Sequence, residues 1–329
     1  MGGGRWDDGL YSTAARTRVA KGIDDFDYDR KVRAGIISGI NADLDPALIK
    51  NGIRESRDSD EHPESLPISV FFDVTGSMGG IPRMLQKKLA ELMDVIIDKA
   101  GVQHPQVLVG AIGDAYVDEY PFQVGQFESD NRFDEQLRNI ILEGGGGGQV
   151  QESYGLAYYF AANHMITDSF EKRGKKGYLF TMGDEMPWQK ITVREAKDIF
   201  KDQLKKDQSL EDILALVQEK WEVYHLFCLD GSYPDRMDIR ERWRKLLNER
   251  FVLLKDSKLV CEVIAGLIYG NEAALDADAV VKSMGLKGKD RDAVVTALTP
   301  LVKSGKGRGV AKGNLPATAG IGKGDIIRL

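Results

Sequence analysis

Between residues 66 and 262 the chain alternates short, almost unbroken apolar runs with longer amphipathic ones. The apolar runs cover 68–73, 106–112, 177–182, 221–229 and, more briefly, 251–254. Runs of that length without polar alternation fit strands covered on both faces, as in parallel sheets. The amphipathic runs cover 81–100, 133–142, 151–164, 193–200, 209–220 and 238–248. In the first of these, Leu85, Leu89, Leu92, Met93, Ile96 and Ile97 recur at three- and four-residue steps, the period of a helix with one buried face. Strand and helix in alternation predict an α/β domain with a doubly wound, mostly parallel sheet.

The flanks read differently. Residues 1–65 are polar and rich in Gly, Asp and Arg, with Trp6, Tyr11, Phe26 and Tyr28 scattered among them. Without a long apolar period they predict a partly extended N-terminal extension held by aromatic anchors. Beyond 271, runs 276–284 and 290–302 predict two short helices, followed by a Gly- and Lys-rich tail whose last residues, 324–329, suit a short strand. The expected division is therefore 1–65, a central domain 66–265, and a small, mainly helical piece 271–329, with no internal repeat.

Composition narrows the function. A net charge of −6 argues against a dedicated nucleic-acid binder, which needs concentrated Lys and Arg. The C-terminal Lys303, Lys306, Arg308, Lys312 and Lys323 form no clear recognition helix, and the cluster Lys172, Arg173, Lys175 and Lys176 reads as a solvated loop. No apolar run reaches the roughly 20 residues of a membrane helix, and no signal-like stretch opens the chain, so the expected location is cytoplasmic. Cys228 and Cys261 read as buried thiols, and His62, His104, His164 and His225 lack zinc-type spacing.

Chemistry concentrates in three loops that follow apolar runs. In open α/β sheets such loops meet beyond the carboxyl ends of the strands. The first is Asp73-Val74-Thr75-Gly76-Ser77, an acid followed by hydroxyls at every second position. Hard oxygens crowded into a tight turn suit Mg2+; the competing reading is that the hydroxyls merely cap the next helix. The second holds five consecutive glycines, 144–148, followed by Gln149, Gln151, Glu152 and Ser153. The third is Thr181-Met182-Gly183-Asp184-Glu185. An acid–base pair of Asp184 and Glu185 is disfavoured because adjacent side chains usually diverge. Asp114 reads as a turn former or a water-mediated neighbour of the first loop, and the acidic run 128–130 as a solvated face.

Asp73, Thr75 and Ser77 match the Asp-x-Ser/Thr-x-Ser pattern, and the central domain resembles the von Willebrand factor A domains with their metal-ion-dependent adhesion site. Gly113-Asp114-Ala115, Gln126-Phe127-Glu128-Ser129-Asp130, Glu152-Ser153-Tyr154 and Gly183-Asp184-Glu185-Met186-Pro187 resemble a bacterial and phage-associated subgroup of these proteins. The resemblance implies helices on both faces of the sheet and Mg2+ (or Mn2+ or Ca2+) at its top. Asp73 would act through a bound water, Thr75 and Ser77 directly. Two departures stand out. The threonine usual after the glycine-rich turn is missing, with Glu152 or Ser153 as stand-ins. The usual Thr-Asp-Gly is replaced so that Gly183 takes the threonine position and Asp184 the acid's; a register with Met182 there would remove the acid. The implied role is non-enzymatic: the cation meets an acidic residue of a protein partner, by analogy a MoxR-type AAA+ ATPase. The alternatives are a metal-free scaffold and, third, a phosphoryl or nucleotide enzyme.

Overall fold

Along each apolar run, alternate side chains point to opposite faces of a sheet, and in the computed structural model both faces are covered. The structure describes residues 4–23, 25–145, 148, 150–301 and 326–328. Its main sheet contains β1 (Leu66–Asp73), β2 (Pro105–Ile112), β3 (Phe122–Val124), β4 (Gly177–Gly183), β5 (Trp221–Cys228) and β6 (Phe251–Leu254). Their order across the sheet is β6-β5-β4-β1-β2-β3. Every neighbouring pair is parallel except β2 and β3, which meet antiparallel at one edge. This is the doubly wound order: the chain starts centrally, builds to one edge, then returns to build the other side. The reversal lies between β1 and β4, the topological switch point where such sheets open a crevice. Register places Phe72 opposite Met182 and Asp73 opposite Ile112, so the acids that follow β1 and β4 emerge side by side.

The two faces are two apolar cores. Ile68, Val70 and Phe72 of β1 join Phe180 and Met182 of β4 on one side. There they meet α3 (Ile81–Leu89) and a later helix, Val260–Ala273. Phe71, Leu179, Val223 and Phe227 face the other side. They meet α4 (Gly155–His164), α5 (Val193–Phe200), α6 (Leu210–Lys220) and α7 (Met237–Leu247). α5 begins with a full capping box, the Thr192 hydroxyl taking Glu195 N–H and the Glu195 carboxylate taking Thr192 N–H.

Several expectations change in detail. The run 81–100 is not one helix: α3 stops at Leu89, and a π-helical turn, Val95–Lys99, follows. At the break the Lys88 carbonyl accepts both the Glu91 N–H at 2.9 Å and the Cys261 thiol at 3.1 Å. Leu85, Leu89, Leu92, Met93 and Ile96 still face the core. The run 151–164 begins as a strand, Gln151–Glu152, paired with Met186–Pro187, before α4 starts at Gly155. The helix Val260–Ala273, α8, was not expected, because it is apolar nearly all round and buried accordingly. The N-terminal segment, expected to be partly extended, contains helices α1 (Asp8–Ala20) and α2 (Asp27–Arg33). Its aromatic anchoring is visible: Phe26 is buried with the Arg83 guanidinium 4.7 Å above its ring, and Trp6 leans on Tyr11 at 5.3 Å.

The acidic run 128–130 is no solvated face. Glu128 and Ser129 are buried, since the chain there bridges to Val107, and Arg132 pairs with Glu128 at 3.1 Å. The basic cluster is tied down by ion pairs: Arg173 with Asp58 at 2.7 Å, Lys172 with Asp168 at 2.7 Å, Lys175 with Glu272 at 2.5 Å. Both cysteines are buried free thiols. His164 bridges Gly52 O at 2.6 Å and Asp202 at 2.8 Å, while His225 stacks on Trp243 at 3.6 Å. No helix among the described residues is long and apolar enough to cross a membrane.

Two helices follow α8: α9 (Ala277–Ser283) and α10 (Gly288–Leu298). Val280, Val281, Val294 and Leu298 share the α8 core, and Leu298 Cδ1 lies 2.9 Å from where a Cβ on Gly266 would stand. Ile326–Arg328 pairs antiparallel with Asp202–Leu204. Residues 302–325, with all five basic positions named above, lie outside the described residues. Because α10 shares the sheet's own core, Leu298→Ala is expected to destabilise the whole fold by about 2–5 kcal/mol. Urea unfolding followed by circular dichroism and tryptophan fluorescence checks this. One shifted transition is expected; a separate early transition, with the main one unmoved, would contradict it.

Candidate metal centre

β1 delivers Asp73 to the crevice fully buried, and the turn after it is built on that carboxylate. Thr75 donates twice to Asp73 Oδ1, from its amide at 2.9 Å and from its hydroxyl at 2.6 Å. Tyr154 donates its phenol to Asp73 Oδ2 at 2.8 Å. Ser77 Oγ lies 3.4 Å from Thr75 Oγ1 and donates to Asp184 Oδ1 at 2.9 Å. Asp184 Oδ2 accepts from the amides of Ser232 at 2.6 Å and Tyr233 at 3.2 Å. The Ser232 hydroxyl donates to Ser77 O. One hydrogen-bonded chain thus ties together the ends of β1, β4 and β5.

Two glycines make the approach possible. Gly76 N–H donates to Gly145 O at 2.5 Å, and a Cβ at position 76 would stand 2.6 Å from that oxygen. Gly144 N–H donates back to Val74 O at 2.9 Å, so the glycine-rich loop lies against the first loop main chain to main chain. A Cβ on Gly183 would stand 1.9 Å from the Tyr154 phenol oxygen. The missing side chain at position 183 is the space through which Tyr154 reaches Asp73.

The second loop contributes unevenly. Glu152 is buried and lines a cleft of about 510 Å3 together with Thr75, Ser77, Glu185, Ser232 and Tyr233. Ser153 is buried away from that lining; its Oγ accepts from Ala115 N at 3.0 Å. Gln151 lines the cleft, whereas Gln149 lies outside the described residues. Asp114 holds a neighbouring turn, accepting Tyr116 N at 3.0 Å and Trp188 Nε1 at 3.1 Å. Of the two adjacent acids, Asp184 turns to Ser77 and Glu185 lines the same cleft. Both sit past the end of β4, where strand alternation no longer applies.

Three participants were not among the expected site residues: Tyr154, Glu185 and the amides of Ser232 and Tyr233. The only sequence signal for the amides was their place just beyond a strand's carboxyl end. Tyr154 stood in the Glu152-Ser153-Tyr154 stretch, but its role was not readable there because it depends on the absent side chain at Gly183.

The electrostatics are one-sided. Burial lifts Asp73 to about 7, with the nearby Asp184 charge adding to it against the Thr75 hydrogen bonds. Burial and the Asp184 charge lift Glu185 to about 7. Burial, then the charges of Asp73 and Glu185, drive Glu152 to about 12. Asp184 is raised as well, chiefly by burial. No lysine or arginine among the described residues lines the cleft. A divalent cation would supply the missing positive charge, and the donors are all hard oxygens, so the residues fit a Mg2+-class ion. Asp73, Thr75, Ser77 and Asp184 would hold it. Among the described residues no three His, Cys, Asp or Glu side chains already converge on one point, so any cation here depends on the two hydroxyls as ligands.

No family model and no curated protein matches the chain. Among solved structures, proximal thread matrix protein 1 from the mussel byssus is 11% identical, aligning 62% of this chain with 47% of its own at a TM-score of 0.41. A zinc-occupied form of that protein, described by its MIDAS motif, is 12% identical over 63% of this chain and 48% of its own, with a TM-score of 0.40. The pilus adhesin SpaC from Lactobacillus rhamnosus GG, in an open conformation, is 10% identical over 66% of this chain and 31% of its own, with a TM-score of 0.45. This chain thus spans less than half the length of each.

The raised carboxylates fix a pH dependence. A carboxyl that titrates higher when folded than when unfolded favours the protonated folded protein. Its stabilising effect is complete below the unfolded value and lost as pH rises through the folded one. In EDTA, stability is therefore expected to fall between about pH 4 and pH 7. Added Mg2+ is expected to raise the melting temperature more at pH 8 than at pH 5, where protons compete. Melts at both values, with and without Mg2+, check the sign; an equal Mg2+ effect at both would contradict it.

Proposed function

We propose that this chain is a cation-dependent protein-docking module whose contact point is the cleft at the top of the sheet. The supporting observation is the chain Asp73–Thr75–Ser77–Asp184. Two hydroxyls are held between two buried acids at the switch point, facing a cleft that no basic side chain among the described residues lines. Mg2+ is the ion the donor set favours, with Mn2+ and Ca2+ as its substitutes. The partner is a protein that brings a carboxylate to the ion, and a MoxR-type AAA+ ATPase in the cytoplasm is the first class to test. Beside the cleft, Tyr116 and Val117 stand about half exposed on the turn held by Asp114, and Tyr116 rests on Trp188 at 4.5 Å. A rigid turn with an exposed aromatic gives a partner an apolar foothold at little cost in ordering.

One observation favours a second reading. Every carboxylate oxygen of Asp73 and Asp184 already accepts a hydrogen bond, as a metal-free scaffold would require. Calorimetric titration of Mg2+ into the wild type and Asp73→Ala separates the two. The docking reading expects measurable binding that Asp73→Ala weakens on the order of a hundredfold, the loss of one charged ligand being worth roughly 3 kcal/mol. Equal, negligible heats in both proteins would leave the scaffold. Catalysis is not part of the proposal, and ATP hydrolysis that required Asp184 would replace it. An affinity capture from the source cell with and without EDTA then identifies the partner, which is expected only in the chelator-free sample.

A further inference from the structure

The main chain on both sides of Thr75 is held by two glycines. Val74 O accepts from Gly144 N–H at 2.9 Å, and Gly76 N–H donates to Gly145 O at 2.5 Å. Residues 140–145 belong to no helix or strand, so their own polar groups need partners other than a ladder. Side chains supply them. Gln123 takes Ile141 N–H at 2.8 Å and gives its amide to Ile141 O at 2.8 Å. The next two residues are held from α2, in the N-terminal segment. Leu142 N–H donates to Asp29 Oδ1 at 3.1 Å, and Arg33 Nε donates to the same oxygen at 3.0 Å. Arg33 Nη2 donates to Leu142 O and, at 2.9 Å, to Glu143 O. Asp29 is 1% exposed, and its Oδ2 accepts from Arg83 at 3.2 Å. Arg83 lies on α3, the helix that follows Ser77. One buried carboxylate on α2 therefore ties the exit of the first loop to the residues that lead into Gly144.

We infer that Asp29 and Arg33 are positioning residues of the cation site, and that α2 is part of the docking module. This rests on the cation reading above and deepens it. Neither residue lines the cleft. They act through main chain: Arg33 fixes the carbonyls of Leu142 and Glu143, and the chain runs from there into Gly144 and Gly145. Those two hold Val74 and Gly76, so the Thr75 hydroxyl stands where α2 sets it. A guanidinium suits the task, because its planar fork reaches two carbonyls and a carboxylate at once, which a lysine ammonium does less well. Groups that orient ligands in this way are worth a measurable part of the affinity for the ion. Electrostatics alone predicts the reverse: removing a positive charge near an acidic site should tighten a cation. The sign of the effect therefore separates positioning from charge.

The probe is Mn2+ alone, added to the full chain and followed by calorimetry and by the electron paramagnetic resonance spectrum of the bound ion. Arg33→Ala is expected to bind on the order of tenfold more weakly than wild type, with broader lines from a less uniform site. Arg33→Lys, which keeps the charge and loses the fork, should also bind more weakly. The Arg33 side chain is 48% exposed, so both variants should fold, and circular dichroism in EDTA checks this. Lys31→Ala is the control: it removes the same charge from the same helix, at an exposed lysine paired with Asp27 at 2.6 Å, and is expected to bind as wild type does. The inference is overturned if both folded Arg33 variants bind Mn2+ as tightly as wild type, or more tightly, while Asp73→Ala loses it. It is also overturned if Lys31→Ala weakens binding as much as Arg33→Ala. Undiminished Mn2+ binding in Asp73→Ala, or none in the wild type, would instead overturn the cation reading beneath it.

Discussion

The Asp73 carboxylate, wholly buried at the point where the sheet reverses its winding, is the constraint around which the top of this protein is arranged. A buried carboxylate needs donors on every side. Thr75 provides two, Tyr154 provides one, and each brings a different segment with it. The first loop takes its shape from the Thr75 bonds. Tyr154 fixes the start of α4 against the sheet, and it reaches Asp73 only because position 183 has no side chain. Ser77 and Asp184 extend the same network to β5 through the amides of Ser232 and Tyr233.

Burial of that kind has a consequence for charge. Four carboxyl groups, Asp73, Asp184, Glu152 and Glu185, crowd one end of a sheet, and all are pushed toward their protonated forms. The protein carries this cost at a place where function, not stability, is the natural explanation. A pair of acids with two hydroxyls suits an exposed cation that seeks a further acid. Two additional glutamates, Glu152 and Glu185, line the same cleft and make it more acidic.

Much of the architecture was legible because its signals are local. β1, β4 and β5 announce themselves as unbroken apolar runs, since both their faces are covered. Asp73, Thr75 and Ser77 were readable because a two-residue step after a strand places all three in one turn. What escaped was whatever depends on two distant positions at once. Tyr154 matters through the void at Gly183. The donors to Asp184 are main-chain groups without a side-chain signature. Helix α8 lacks a polar face and therefore lacks a period. The helix Asp8–Ala20 buries no residue and shows no apolar stripe to betray it. The choice between Glu152 and Ser153 needed the strand pair Gln151–Glu152 with Met186–Pro187, which aims one side chain at the cleft and the other at Ala115.

The central claim is that a divalent ion sits between the hydroxyls of the first loop and the acids that flank them. Crystals grown in Mn2+ and measured at a wavelength where manganese scatters anomalously test it directly. The expected result is an anomalous peak in bonding contact with Thr75 Oγ1 and Ser77 Oγ, between Asp73 and Asp184. A map without such a peak, in which Ser77 still donates to Asp184 and Thr75 to Asp73, would contradict the account.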